Sequence, residues 1–382
     1  MTSKERVTAA IARQPVDRVP LGFYAVDHDV VEQVIGRPTF VRNKIDLRIA
    51  LSEGRRDEVA ESLKKDTVEF YRRIDCADLL LPKEAQLLPP EDYEPEPLKK
   101  IGDDQWEDSR GRVLQAVRHA NEIGCVYDPA ANEPPPEYSL DDFAAPVTVS
   151  PPDPSVFEVF DYVYSELGEE RYIASPCGGV TAMTLLGGTE NGLVMYALQP
   201  DVVAAANRQS ADRQNQLDEY FVRNNAPGVM MEQDMAGTNG PLISPAMFKD
   251  LCLPFLKERI ANVKKYAPQV IFHNCGQNMP LMDMFIDAGV DCYQSLQTTA
   301  GMEIGKLKEL YGASLCFWGG VPVEMLIDGS PQDVRAAVRT AMERGAPGGG
   351  FILGPSHSIA KNTTYDNFMA LIDEHSRLCD KY

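Results

Sequence analysis

The chain has 382 residues, 44% of them hydrophobic and 25% charged, which is the balance of a globular protein with room for one large domain or two ordinary ones. Its 37 basic and 57 acidic side chains leave a net charge of −20, which argues against nucleic acid and anionic membranes as partners, since both are gripped by clustered Lys and Arg. No apolar run approaches the ~20 residues of a membrane span, and the opening MTSKERVTAAIARQPVDRVP lacks the apolar core of a secretory signal, so a cytoplasmic location is expected.

Short apolar segments recur along the chain, most of them ending in Gly, Pro or polar residues: RVPLGFYA (18–25), CADLLLP (76–82), RYIASP (171–176), GVMMEQD (228–234), QVIFHN (269–274), VDCYQS (290–295), ASLCFW (313–318) and GFILGP (350–355). Continuous apolar runs of this length suit strands buried on both faces of a parallel sheet. Stretches with helical spacing lie between most of them. Ser244-Pro245 and Ser330-Pro331 place Ser at an N-cap and Pro at the first helical position, while Gly289, Gly312 and Gly345 stand where helices should stop. Eight β/α alternations predict an α/β fold, a (β/α)8 TIM barrel.

Residues 83–170 break the rhythm with Pro-rich, acidic sequence (LPPEDYEPEPL, ANEPPPEYS), inside which DDQWEDSRGRVLQAVRH reads as a hairpin turning near Ser109-Arg110-Gly111. We read 1–382 as one barrel domain carrying this long insertion after the second strand, as a lid or rim over the barrel's C-terminal face.

In such a barrel the chemistry sits at the C-terminal strand ends. Those ends carry Asp27-His28, Cys177-Gly178-Gly179, Glu232 and Asp234, His273-Asn274-Cys275, Gln294 and Gln297, Trp318-Gly319-Gly320, and Ser356-His357. Residues i and i+2 of an extended segment point the same way, so His273 and Cys275 can share one target. Imidazole and thiolate are the usual zinc ligands, and a catalytic zinc takes three protein ligands, a set that His357, Glu232 or Asp234 would complete. The bland alternative makes His273 a hydrogen-bonded core residue and Cys275 an apolar filler. Of the eight cysteines, none suggests a disulfide framework, and Cys252, Cys292 and Cys316 read as core. His119 and His375 are expected at the surface, with His28, Tyr24, Gln294 and Trp318 lining a substrate pocket. The glycines of APGGGFILG (346–354) precede a strand, the wrong order for a nucleotide-binding turn.

SKERVTAAIARQPVDRVP (3–20), GPLISPAMFKDLCLPFLK (240–257), HNCG (273–276), AGVDCYQSLQ (288–297), FWGGV (317–321) and GGGFILGPSHSI (348–359) together resemble the uroporphyrinogen decarboxylase superfamily. The resemblance implies the same (β/α)8 barrel. Its decarboxylases carry an arginine-rich segment after the first strand to grip the substrate's carboxylates. Here that segment is LGFYAVDHDVVEQVIG (21–36), without arginine. The other branch comprises cobalamin-dependent methyltransferases, in which an H-x-C pair and a last-strand cysteine hold zinc. His273 and Cys275 match the pair, while His357 replaces the cysteine.

The resemblance therefore implies a zinc enzyme that moves a methyl group between a small donor or acceptor and the cobalamin of a separate corrinoid protein. His273, Cys275 and His357 would be ligands, with Glu232 or Asp234 as fourth ligand or proton donor. Aromatic and Met residues near the strand ends (Phe23, Tyr24, Met230, Met231, Phe272, Tyr293, Trp318) would suit an apolar donor such as an aryl methyl ether or thioether. Two alternatives stay open: a lyase acting on another carboxylated substrate, and a non-catalytic corrinoid-binding barrel. A homodimer is one option for the assembly.

Overall fold

The computed structural model describes residues 1–85, 87–179 and 182–382. Each apolar run of the sequence contributes one parallel strand: β1 Gly22–Phe23, β2 Leu79–Leu80, β3 Tyr172–Ile173, β4 Gly228–Glu232, β5 Gln269–His273, β6 Cys292–Gln294, β7 Cys316–Val321 and β8 Phe351–Pro355. Ladders join β1 to β2 and β2 to β3, then β4 through β8 in chain order. Parallel bridges Ser175↔Val229 and Leu21↔Leu353 close the gaps between β3 and β4 and between β8 and β1. The result is a (β/α)8 barrel with no free edge.

The strand pleat sorts the apolar residues into two layers. Val229, Met231, Val270, Phe272, Tyr293, Phe317 and Leu353 point outward into the core shared with the surrounding helices. Met230, Ile271, Cys292, Cys316, Trp318 and Ile352 fill the barrel's interior. The N-terminal helix Ser3–Ile11 seals one end, because its Val7, Ala10 and Ile11 join that interior cluster. The predicted helix starts hold: Ser244 accepts from Met247 N–H at 3.2 Å, and Ser330 from Asp333 N–H at 3.3 Å. Gly289 ends its helix at φ 96°, a left-handed cap that glycine adopts freely.

Two expectations need correcting here. Helix Glu158–Leu167 packs on helix Arg56–Ile74 and leads into β3, so it belongs to the barrel's ring rather than to the insertion. His375 is not at the surface: it is 2% exposed, on the inward face of helix Tyr365–Leu378, with Nε2–H donating to Val19 O at 2.8 Å. An exposed-looking helix end misled the sequence reading, because the periodicity of one amphipathic helix does not show what covers it.

The insertion is more ordered than a lone hairpin. Strands Lys99–Gly102, Gln105–Glu107, Val113–Val117 and Glu122–Tyr127 form an antiparallel meander. The predicted turn is built on Asp108, whose Oδ1 accepts from the N–H groups of Arg110 and Arg112 at 2.9 and 3.0 Å. Trp106 and Ala116 on one meander face pack against Ile45 of helix Lys44–Ser52. Asn121 Nδ2 donates to Arg42 O and Asn362 Nδ2 donates to His119 O, tying the meander region to the barrel at two points. Among the described residues, no helix is long and apolar enough to cross a membrane.

Candidate metal centre

Register alone brings three functional side chains into one row. His273 pairs with Glu232 of β4 on one side and Gln294 of β6 on the other, all at the C-terminal strand ends. Aligned residues of parallel strands face the same way, so this row looks into the barrel mouth. Two residues beyond, Cys275 brings Sγ to 3.3 Å from His273 Nε2, and the loop after β8 delivers His357. The ligand atoms of His273, Cys275 and His357 all lie within 4.8 Å of one another.

The chain holds this arrangement from several sides. Gln294 Oε1 makes a short contact with His273 Nδ1. The Tyr24 ring stacks on the His273 imidazole with centroids 4.3 Å apart and planes 12° from parallel. Asp234 Oδ1 accepts the Cys275 N–H at 2.7 Å, and Gln297 Oε1 accepts the Gly276 N–H at 2.9 Å. Gly276 itself is required: its φ is 88°, and a Cβ there would meet Ala236 O at 2.5 Å. Ser295, fully buried, sits in the left-handed region at φ 85° with its Oγ 3.3 Å from Cys275 Sγ. A strained non-glycine backbone in this position is a feature that functional sites tend to retain.

Electrostatics keep both imidazoles in the state a metal needs. Burial lowers the His273 pKa below the ordinary histidine value, and burial together with neighbouring His273 lowers that of His357 to about 4. Burial pushes the Cys275 thiol up to about 12 in the metal-free protein. Two neutral imidazoles and one thiol, converging within bonding reach, form a donor set suited to zinc. These residues fit such an ion.

Residues 120–378 match the family described as uroporphyrinogen decarboxylase (URO-D), well over half of the chain. The chain belongs to the URO-D family. Its fold resembles that of a methyltransferase from Methanosarcina mazei, with a TM-score of 0.66 over 99% of each chain and 16% identity, a likeness of fold. A fainter match, TM-score 0.40 and 10% identity over 84% of this chain and 87% of the other, is to a B12-independent methionine synthase from Shewanella sp. W3-18-1 in complex with selenomethionine. No curated protein matches the chain.

Within this URO-D barrel the residues predicted to line a substrate pocket divide. Tyr24 lies against the cluster, contacting both His273 and His357. Trp318 does not line the pocket: it is wholly buried, and its Nε1–H donates to Gly22 O at 3.2 Å inside the barrel. Gly22 and Gly354 flank the indole so closely that a Cβ on either would clash with it. Gln294 is also fully buried and holds His273 rather than facing a ligand. His28 opens helix His28–Ile35 and turns to Lys361, whose Nζ lies 3.1 Å from its Nε2. Of the other aromatic and Met residues near the strand ends, Phe23, Met231, Phe272 and Tyr293 point outward under the helices and Met230 fills the interior with Trp318, all as barrel core.

Three contributors escaped the sequence reading. Lys83, just past β2, donates to the Tyr24 hydroxyl at 2.7 Å and forms an ion pair with Glu232. Burial raises the Glu232 carboxyl, but Lys83 outweighs it, with help from the Tyr24 hydroxyl, and the net pKa falls. Arg42, at φ 55°, pairs with Asp27 at 3.0 Å and acts electrostatically on Tyr24 and His357. Ser295 is the third. Only its place one residue past β6, a strand whose end faces His273, could have flagged it.

Proposed function

We propose that this protein is a zinc-dependent methyltransferase that moves a methyl group between a small donor, such as an aryl methyl ether or thioether, and the cobalamin of a separate corrinoid protein. The observation that carries this reading is the convergence of His273, Cys275 and His357 at the barrel mouth, with ligand atoms within 4.8 Å of one another. Those three side chains would hold the ion. Bound zinc supplies Lewis acidity, turning a methyl-bearing oxygen or sulfur into a better leaving group or keeping a thiol as thiolate. The family membership and the shared fold with a methyltransferase support the same class of chemistry.

The chain's own residues set the rest. Glu232 is held ionised by Lys83 Nζ, so it can take up a proton from a substrate rather than give one. Tyr24 keeps its proton, because burial and then Glu232 push its pKa well above the ordinary phenol range. Its ring fixes the His273 plane. Asp234 spends Oδ1 on the Cys275 amide and thus shapes the ligand loop.

A lyase acting on a polycarboxylate would need unneutralised cations at the mouth. Here Lys83 and Arg42, the cations that act on Tyr24 and His357, face Glu232 and Asp27. The test is direct. Protein expressed with zinc should carry about one ion per chain, and mixing it with methyl donor and corrinoid protein should produce the methylcobalamin absorption spectrum. No zinc after metal-replete expression, or no spectral change with any methyl ether or thioether, would reject the reading.

A further inference from the structure

We propose that Gln294 is a positioning residue that locks His273 in the tautomer protonated at Nδ1, so that the bare Nε2 is presented to Cys275 and the metal. The inference deepens the zinc reading above and rests on it. Gln294 stands directly beside His273 in the parallel register of β6 and β5, and neither side chain has room to leave. Gln294 is 0% exposed and His273 2%.

The contact between Gln294 Oε1 and His273 Nδ1 can exist in only two forms. If the amide presents its oxygen, Nδ1 carries the hydrogen and Nε2 keeps a lone pair. If the amide is turned round, its NH2 donates to Nδ1 and the ring hydrogen moves to Nε2. The second form would aim an N–H at Cys275 Sγ, 3.3 Å away, and would block Nε2 as a ligand. In the first form Gln294 Nε2 meets no hydrogen-bond partner among the described residues, although it is buried. An unsatisfied buried donor is costly, and such a cost persists where a site needs the arrangement that causes it.

Tyr24 completes the lock. Its ring lies flat on the imidazole, and its hydroxyl is anchored by Lys83 at 2.7 Å, which opposes the ring flip that would put Cδ2 and Cε1 where Nδ1 and Nε2 stand. The Nδ1–H contact also makes the imidazole a more basic ligand, the usual effect of an acceptor behind a metal-bound histidine.

The tautomer is readable without metal or activity. In metal-free protein labelled with 15N-histidine, long-range 1H–15N correlation spectra should show His273 protonated at Nδ1 and bare at Nε2. Gln294→Leu should shift it toward Nε2–H or a mixture and weaken zinc binding by about 10–100-fold in chelator competition. Gln294→Met serves the same purpose if the leucine variant fails to fold. Gln294→Glu restores an acceptor and should recover both the tautomer and the affinity. A wild-type His273 protonated at Nε2 would overturn the proposal. So would a folded leucine or methionine variant with unchanged tautomer and affinity within twofold of wild type, or a folded glutamate variant no better than leucine. If wild-type protein takes up no zinc, the functional reading falls, while the tautomer of His273 still decides the role of Gln294.

Discussion

The Cys275 N–H donates to Asp234 Oδ1 at 2.7 Å, tying the loop that carries the thiol to the loop that follows β4. The side chain expected as fourth ligand or proton donor thus holds a ligand in place. Asp234→Ala should weaken zinc binding about tenfold, in the range seen when outer partners of metal ligands are removed. Asp234→Asn keeps an oxygen acceptor at that position and should stay within about threefold of wild type. Chelator competition on the two variants checks this, and equal losses in both would show that the carboxylate charge matters instead of the hydrogen bond.

Removing a ligand should empty the site. Cys275→Ala and His357→Ala should each lower zinc from about one ion per chain to near zero after dialysis, because two remaining ligands hold the ion weakly. His357→Cys should retain it. Elemental analysis of the three proteins decides whether His357 is the third ligand.

Zinc uptake should release protons in a number that the site's pKa values fix. His273 and His357 are held below the ordinary histidine value and are already neutral at pH 7, whereas the Cys275 thiol, at about 12, is still protonated. One proton should therefore leave on binding, and apparent affinity should rise about tenfold per pH unit between about pH 7 and 8. Calorimetry in buffers of different ionisation enthalpy counts the protons. A count near two would mean that one imidazole is charged in the metal-free protein.

His375 should make the fold acid-sensitive. Burial holds its pKa below the ordinary value, against the opposing effect of the hydrogen bond to Val19 O. The unfolded chain then binds the proton more readily than the folded one, so this contribution is present above about pH 6.5 and is lost as pH falls toward the folded-state value. His375→Gln removes it. Urea unfolding at pH 7.5 and 5.5 should show a smaller loss of stability on acidification in the variant, by up to about 1 kcal/mol.

Gly276→Ala should be among the most damaging single-methyl changes in the chain. Its φ of 88° disfavours any side chain, and the new Cβ would press on Ala236 O at 2.5 Å. A cost of about 2 kcal/mol or more is expected from strain and clash together. The loop would shift with it, so zinc affinity should fall alongside the unfolding midpoint. A variant with native stability and native zinc binding would contradict this account.

The barrel was legible because parallel strands buried on both faces must be apolar throughout, and such runs between Gly, Pro and helix caps are visible one segment at a time. The pairing of His273 with Cys275 was legible for a similar reason, since the alternation of an extended chain is a local property. His357 at the end of β8 followed from counting strands.

What lay beyond the sequence was every relationship that closure of the barrel creates. Lys83 meets Tyr24 and Glu232 across separations of 59 and 149 residues. Gln294 became the partner of His273 through strand register, and Trp318 became interior filling because Gly22 and Gly354 leave it room. His375 is buried against the segment that leads into β1, where it meets Val19 O. Local periodicity determined the strands and the direction in which the two ligands point. Only tertiary packing decided which side chains stand behind them, because hydrogen bonds and burial depend on neighbours that the chain brings close in space, far from one another in sequence.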